Sequence, residues 1–211
     1  MSLTGCNIIV LDLEIVCPPE TVPGGWENLA GLGLSLGAWW DYQTSRIVWF
    51  DRQNLAESIG QLLDRLPLLV TFNGRRFDLA LMQAVWMDAD RLPFDHPEVR
   101  AWEALCAAGC DLLQAVWAAE RQGGRVMRGV NSLDALCAAN GLGAKTGTGA
   151  EAPRWWAEGQ VARVANYCQH DVYLTRDLLE YALAHDGWLT RRDDRLQIAL
   201  PLALAGVWCG T

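Results

Sequence analysis

Residues 7–13 form a run rich in β-branched and aliphatic side chains, and it delivers two acids, Asp12 and Glu14, at its downstream end. Residues two apart on a strand point to the same face. A strand here therefore sets Asp12 and Glu14 side by side and turns Leu11, Leu13 and Ile15 toward an apolar face. Two carboxylates so placed repel unless one is protonated or a cation lies between them. An all-oxygen pair suits Mg²⁺ or Mn²⁺. Taken alone, so common a pattern fits the plainer reading better: a strand that ends in acids before a loop.

Downstream, a Pro/Gly-rich loop covers residues 17–25, and residues 29–40 and 46–50 are expected as strands joined by a polar turn at 41–45. Leu55, Ile59, Leu62, Leu63 and Leu66 recur at helical spacing, predicting an amphipathic helix over 52–66. Residues 68–72 follow as a buried strand, broken at Asn73-Gly74, with a helix over 77–87. The second half is mostly helical, at 112–121, 132–140 and 161–185, and short strands are expected at 188–190 and 196–200. Strands first, then a strand–helix unit, then helices predict an α/β fold: a mixed sheet flanked by helices. The 211 residues suit one domain with a sizeable core.

The formal charge of −8 argues against broad wrapping of a polyanion. It leaves room for a cation-holding acidic cluster. Of the 17 basic residues only Lys145 is a lysine. The longest apolar stretches, 66–72 and 201–209, are too short to span a bilayer, and no secretory leader is visible. Seven scattered cysteines show no metal-ligand spacing and are expected as reduced thiols. These features predict a cytoplasmic protein without a membrane partner.

Two further constellations carry acids. Asn73-Gly74-Arg75-Arg76-Phe77-Asp78 links the second buried strand to a helix, where ligand sites of α/β proteins gather. Asp78 falls in that helix's first turn, where the dipole favours a carboxylate, so a purely structural role also fits. In the later helix, Tyr167 and Asp171 are four apart and share one face. Each also reads as an ordinary helical residue in isolation.

In this order and spacing, "LDLE", "FNGRRFD" and "YCQHDVYLTRDL" resemble the three motifs of the DEDD exonuclease superfamily, to which proofreading and ribonuclease-D-type enzymes belong. The Tyr-x-x-x-Asp form resembles the tyrosine subgroup. In detail the chain looks closest to stand-alone relatives of the proofreading domain of family B DNA polymerases. Cys110-Asp111-Leu112-Leu113 and Ser132-Leu133-Asp134, leading to Lys145, add to the likeness, which covers residues 7–184 and leaves 185–211 as a C-terminal extension.

The resemblance implies a single ribonuclease-H-like domain that hydrolyses phosphodiester bonds 3′→5′ at the end of a single strand, with DNA favoured over RNA. It implies two divalent cations, Mg²⁺ or Mn²⁺, held by Asp12, Glu14, Asp78 and Asp171. Asp12 bridges them, and Tyr167 orients the attacking water. Such ions sit about 3.5–4 Å apart and clamp an in-line displacement. Asn73 and Phe77 are expected at the terminal nucleotide, and Arg75, Arg76 and Lys145 at phosphates. The family's first motif commonly reads Asp-x-Glu-Thr; Ile15 stands at the Thr position, a departure that weakens the expected contact to the terminal nucleotide.

Two other functions use the same carboxylates: a catalytically weak nucleic-acid-binding module, and a phosphohydrolase of small nucleotides. The glycine-rich 141–149 stretch is no Walker loop, because no Gly directly precedes Lys145 and a helix, not a strand, comes before it.

Overall fold

The computed structural model describes residues 3–124, 130–144, 147, 149–192, 194–201 and 204. In chain order the elements are β1 (Ile8–Ile15), α1 (Leu29–Leu32), β2 (Leu34–Asp41), β3 (Arg46–Phe50), α2 (Leu55–Arg65), β4 (Leu68–Thr71), α3 (Asp78–Asp90) and α4 (Pro97–Ala108). They continue with β5 (Cys110–Asp111), α5 (Leu112–Gly123), α6 (Leu133–Ala139), α7 (Ala152–Ala157), α8 (Val161–Ala184), β6 (Trp188–Thr190) and β7 (Arg195–Gln197).

β1 is the centre of a five-stranded sheet of order β3-β2-β1-β4-β5. The hairpin strands β2 and β3 pair antiparallel on one side, and β4 and β5 run parallel on the other. Alternation along β1 separates two cores. Ile9, Leu11, Leu13 and Ile15 pack with Ile59 and Leu62 of α2, Leu81 and Met82 of α3, and Trp102 of α4. Ile8 and Val10 face the other way, with Val116 of α5, Leu136 of α6, Trp155 of α7 and Val172 and Leu178 of α8. The result is a mixed sheet with helices on both faces, compatible with the ribonuclease-H-like expectation. Among the described residues no helix is long and apolar enough to cross a membrane.

Several boundaries differ from expectation for local reasons. The apolar stretch 29–40 is not one strand: its first four residues are the short helix α1, because the Asn28 side chain accepts from Gly31 N–H at 3.0 Å. Gly33, at φ +66°, then breaks the chain into β2. The helix expected over 52–66 is shorter, since residues 52–54 form a turn and Leu66 closes α2 in the left-handed conformation. Two helices stand where the periodicity set none: α4, opened by a first-turn proline, and the six-residue α7.

The expected C-terminal strands exist as the hairpin β6–β7, with the second placed slightly earlier than 196–200. Leu189, Leu196 and Ile198 are buried in the core on the α8 side of the sheet. Arg191, itself buried, bridges Glu120 of α5 and Asp194. Removing one partner of such a pair strands a buried charge, at a cost of roughly 3–5 kcal/mol. This part of the C-terminal segment is thus built into the fold.

Candidate functional site

β1 outlasts its parallel neighbour. Pairing with β4 runs from Ile8–Leu68 to Val10–Val70, whereas pairing with β2 continues past Glu14. Asp12 and Glu14 therefore project beyond the carboxyl end of β4, where α/β sheets leave a crevice. A bulge follows Glu14: the register jumps from Glu14–Leu36 to Ile15–Leu34, so Ser35 is the extra residue. The Ser35 hydroxyl, buried, donates to the Glu14 carbonyl at 2.9 Å and satisfies the interrupted ladder. Ile15 lies in the opposite core with Leu13, Leu32 and Leu34, turned to the other side of β1 from the acids.

α8 supplies the second half. It packs across β1 and β2, and Tyr42 of the segment after β2 donates to Glu180 at 2.7 Å, fixing the helix along its length. Closer to the acids, the Cys168 thiol donates to the Asp12 main-chain carbonyl at 3.5 Å. Asp171, one turn beyond Tyr167, is 2% exposed and faces β1. One ligand oxygen from each of Asp12, Glu14 and Asp171 lies within 4.8 Å of the other two.

Asp78 begins α3 and is buried. It is not among the three closest acids, but it shares their field. Burial first, and then the charges of Asp12, Glu14, Asp78 and Asp171, push the Cys168 thiol well above its ordinary value. All four carboxylates thus act electrostatically on one thiol. A cation among them would relieve their repulsion. The donor set is all oxygen, which fits a hard divalent ion such as Mg²⁺ or Mn²⁺.

The turn that carries Asp78 is fastened by a residue that the motif reading left without a role. Asp111, buried at the end of β5, accepts from Asn73 N–H at 3.0 Å and from Arg75 N–H at 3.1 Å. It also caps α5 through Leu113 N–H and Gln114 N–H. Its cap position, an acid just before an apolar helical run, was the available sequence signal. Asn73 takes a left-handed φ of +71°. Gly74 has no room for a side chain: a Cβ there would meet Thr71 at 2.4 Å.

The other candidates divide. Phe77 is half-buried beside Asp78 and makes an edge-to-face contact with Trp26, centroids 5.5 Å apart. Tyr167 is buried against Trp155, and a Cβ added at Gly149 of the glycine-rich stretch would stand 4.0 Å from its hydroxyl. Arg75 does not stand ready for a phosphate, since its guanidinium donates to the carbonyls of Ala107 and Gly109 at 2.6 and 2.8 Å, at the end of α4. Arg76 is exposed, its guanidinium 5.4 Å from the Trp117 ring centroid. Lys145 lies outside the described residues. Ser35, Asp111, Cys168 and Trp26 are the residues that the motif reading gave no part at the site.

Comparison with solved structures matches the chain to the family B DNA polymerase from the hyperthermophilic archaeon Pyrobaculum calidifontis, with a TM-score of 0.56 and 13% sequence identity. The match covers 97% of this chain and 27% of the polymerase, so the chain spans about a quarter of that protein's length. At that identity the likeness is one of fold. No protein-family model matches the sequence, and no curated protein does.

Proposed function

We propose that the chain is a metal-dependent 3′→5′ exonuclease of the tyrosine-type DEDD kind, acting on the end of single-stranded nucleic acid, with DNA favoured over RNA. The observation that carries this reading is the convergence of Asp12, Glu14 and Asp171 within 4.8 Å at the open end of β1. The likeness of fold to a DNA polymerase supports it, as does the order of the motifs.

In this reading Asp12, Glu14 and Asp171 hold a divalent cation, and Asp78 supports a second from the start of α3. Bound Mg²⁺ or Mn²⁺ supplies a polarised phosphoryl group and a nucleophile at neutral pH. Tyr167, held by Trp155, aims its hydroxyl at the attacking water. Asn73 and Phe77 meet the terminal nucleotide. With Arg75 occupied at α4, Arg76 and Lys145 are the cations assigned to phosphates. Few such cations imply a distributive enzyme that releases its strand after one or a few cleavages. Ile15 packs on the other side of β1, so the departure from the usual Thr leaves the carboxylates in place.

The test is shortening of 5′-labelled single strands, DNA and RNA in parallel, with Mg²⁺ or Mn²⁺. Mononucleotide release from the 3′ end is expected, and a chelator should stop it. Absence of cleavage, or equal cleavage by Asp12→Asn, would sink the proposal. Turnover of free nucleotides but not oligonucleotides would turn it into a phosphohydrolase.

A further inference from the structure

We infer that Trp26 is a stacking surface for the unpaired 3′-terminal nucleobase, an inference that rests on the nuclease reading above. Trp26 lies on the loop that leaves the carboxyl end of β1 just beyond Glu14, and Phe77 lies on the loop that leaves β4 just before Asp78. The two rings meet at an interplanar angle of 69°. An edge-to-face pair leaves at least one broad face of each ring uncovered by the other. Phe77 is partly buried, whereas Trp26 is 62% exposed. The indole thus stands open beside the residue that precedes Asp78 in the chain.

The loop that presents it is built rather than loose. Asn28 donates to the Pro23 carbonyl at 2.9 Å and accepts from Gly31 N–H at 3.0 Å. Gly24 and Gly25 take left-handed conformations immediately before the indole, which ordinary side chains rarely adopt. The tryptophan packed on Tyr167 differs. Trp155 is 7% exposed, enclosed by Tyr167 and by the Arg163 guanidinium 4.0 Å from its centroid, so it supports the tyrosine and offers no face. A base stacked on Trp26 would be recognised by its ring rather than its edge, because every nucleobase has a π-face. That makes the contact tolerant of sequence and confines it to unpaired ends, whose terminal base is free to leave its neighbour.

The experiment measures binding by fluorescence anisotropy with Ca²⁺ replacing Mg²⁺, using two oligodeoxynucleotides that differ only in a normal or an abasic 3′-terminal residue. Wild-type protein is expected to prefer the base-bearing end by roughly tenfold. Trp26→Leu, which keeps apolar cover over Phe77 without a ring face, should abolish the preference, and Trp26→Tyr should restore most of it. If Trp26→Leu retains the preference, or wild type shows none while still cleaving single strands, this inference alone is overturned. If wild type neither binds the oligonucleotides nor cleaves them with Mg²⁺ or Mn²⁺, the nuclease reading falls and takes the inference with it.

Discussion

The thiol of Cys168 donates to the main-chain carbonyl of Asp12 across 3.5 Å, joining the middle of α8 to the central strand at the point where the acids meet. A thiol is a weak donor. What the contact reports is register, because it holds α8 where Asp171, less than one turn on, reaches the β1 carboxylates.

The same placement protects the thiol. Burial and four neighbouring acids hold Cys168 well above its ordinary value, and burial pushes Cys106 and Cys110 up to about 12. The thiolate is the reactive species. Iodoacetamide at pH 8 should therefore modify the half-buried Cys6 and Cys17 first, the half-buried Cys106 more slowly, and the buried Cys110 and Cys168 only once denaturant is added. Mass spectrometry of timed samples checks the order.

Asp12→Asn and Asp171→Asn should each lower divalent-ion affinity and nuclease activity by more than the roughly 100-fold typical of losing an outer partner. Without metal, the variants should melt at the same temperature or higher, because each removes one of several crowded negative charges. Calorimetric Mn²⁺ titration and thermal melts in chelator separate the two effects. A variant that loses activity and also melts well below wild type would mean a structural role instead.

Tyr167→Phe keeps the ring that packs on Trp155 and deletes the hydroxyl. If that hydroxyl aims the nucleophile, kcat should fall with KM nearly unchanged, since the loss is felt in the transition state. Steady-state kinetics on a short single strand decides. A raised KM with unchanged kcat would make Tyr167 a binding residue only.

Asp111→Ala should cost about 2–4 kcal/mol, the sum of a lost helix cap and amides left without their acceptor. Both the α5 start and the Asn73–Arg75 turn depend on this carboxylate. Activity should fall as the turn carrying Asp78 loosens. Asp111→Asn, which keeps an acceptor oxygen, should recover part of both. Urea unfolding and the strand-shortening assay together test this.

Asp41, at the end of β2, is held below its ordinary value: burial opposes the shift, but hydrogen bonds from Arg65 and the Gln43 amide, with Arg65's charge, outweigh it. A depressed carboxylate contributes stability above its unfolded pKa, about 3.9, and that stability is lost as pH falls through the lower folded value. Asp41→Asn should therefore cost roughly 2 kcal/mol at pH 7, the difference shrinking below about pH 4. Paired unfolding curves from pH 7 to pH 2.5 measure it.

The period-two pattern of β1 was enough to separate Asp12 and Glu14 from Leu11, Leu13 and Ile15, because side-chain alternation is a property of the strand alone. Helical spacing likewise located α2, and placed Tyr167 above Asp171 on α8. Apolar content without a clear period misled: residues 29–40 look like one strand, and a single Asn28 cap with Gly33 divides them. Which acids meet followed from the resemblance of the ordered motifs, not from the pattern of the residues themselves. Asp12 and Asp171 lie far apart in the chain, and their approach depends on α8 crossing β1 at one register, set by packing on both strands. The same is true of Arg75, whose place in a loop motif suggests phosphate but whose guanidinium is taken by carbonyls at the end of α4. Local periodicity is written residue by residue, whereas convergence of side chains is fixed only when the helices pack against the sheet.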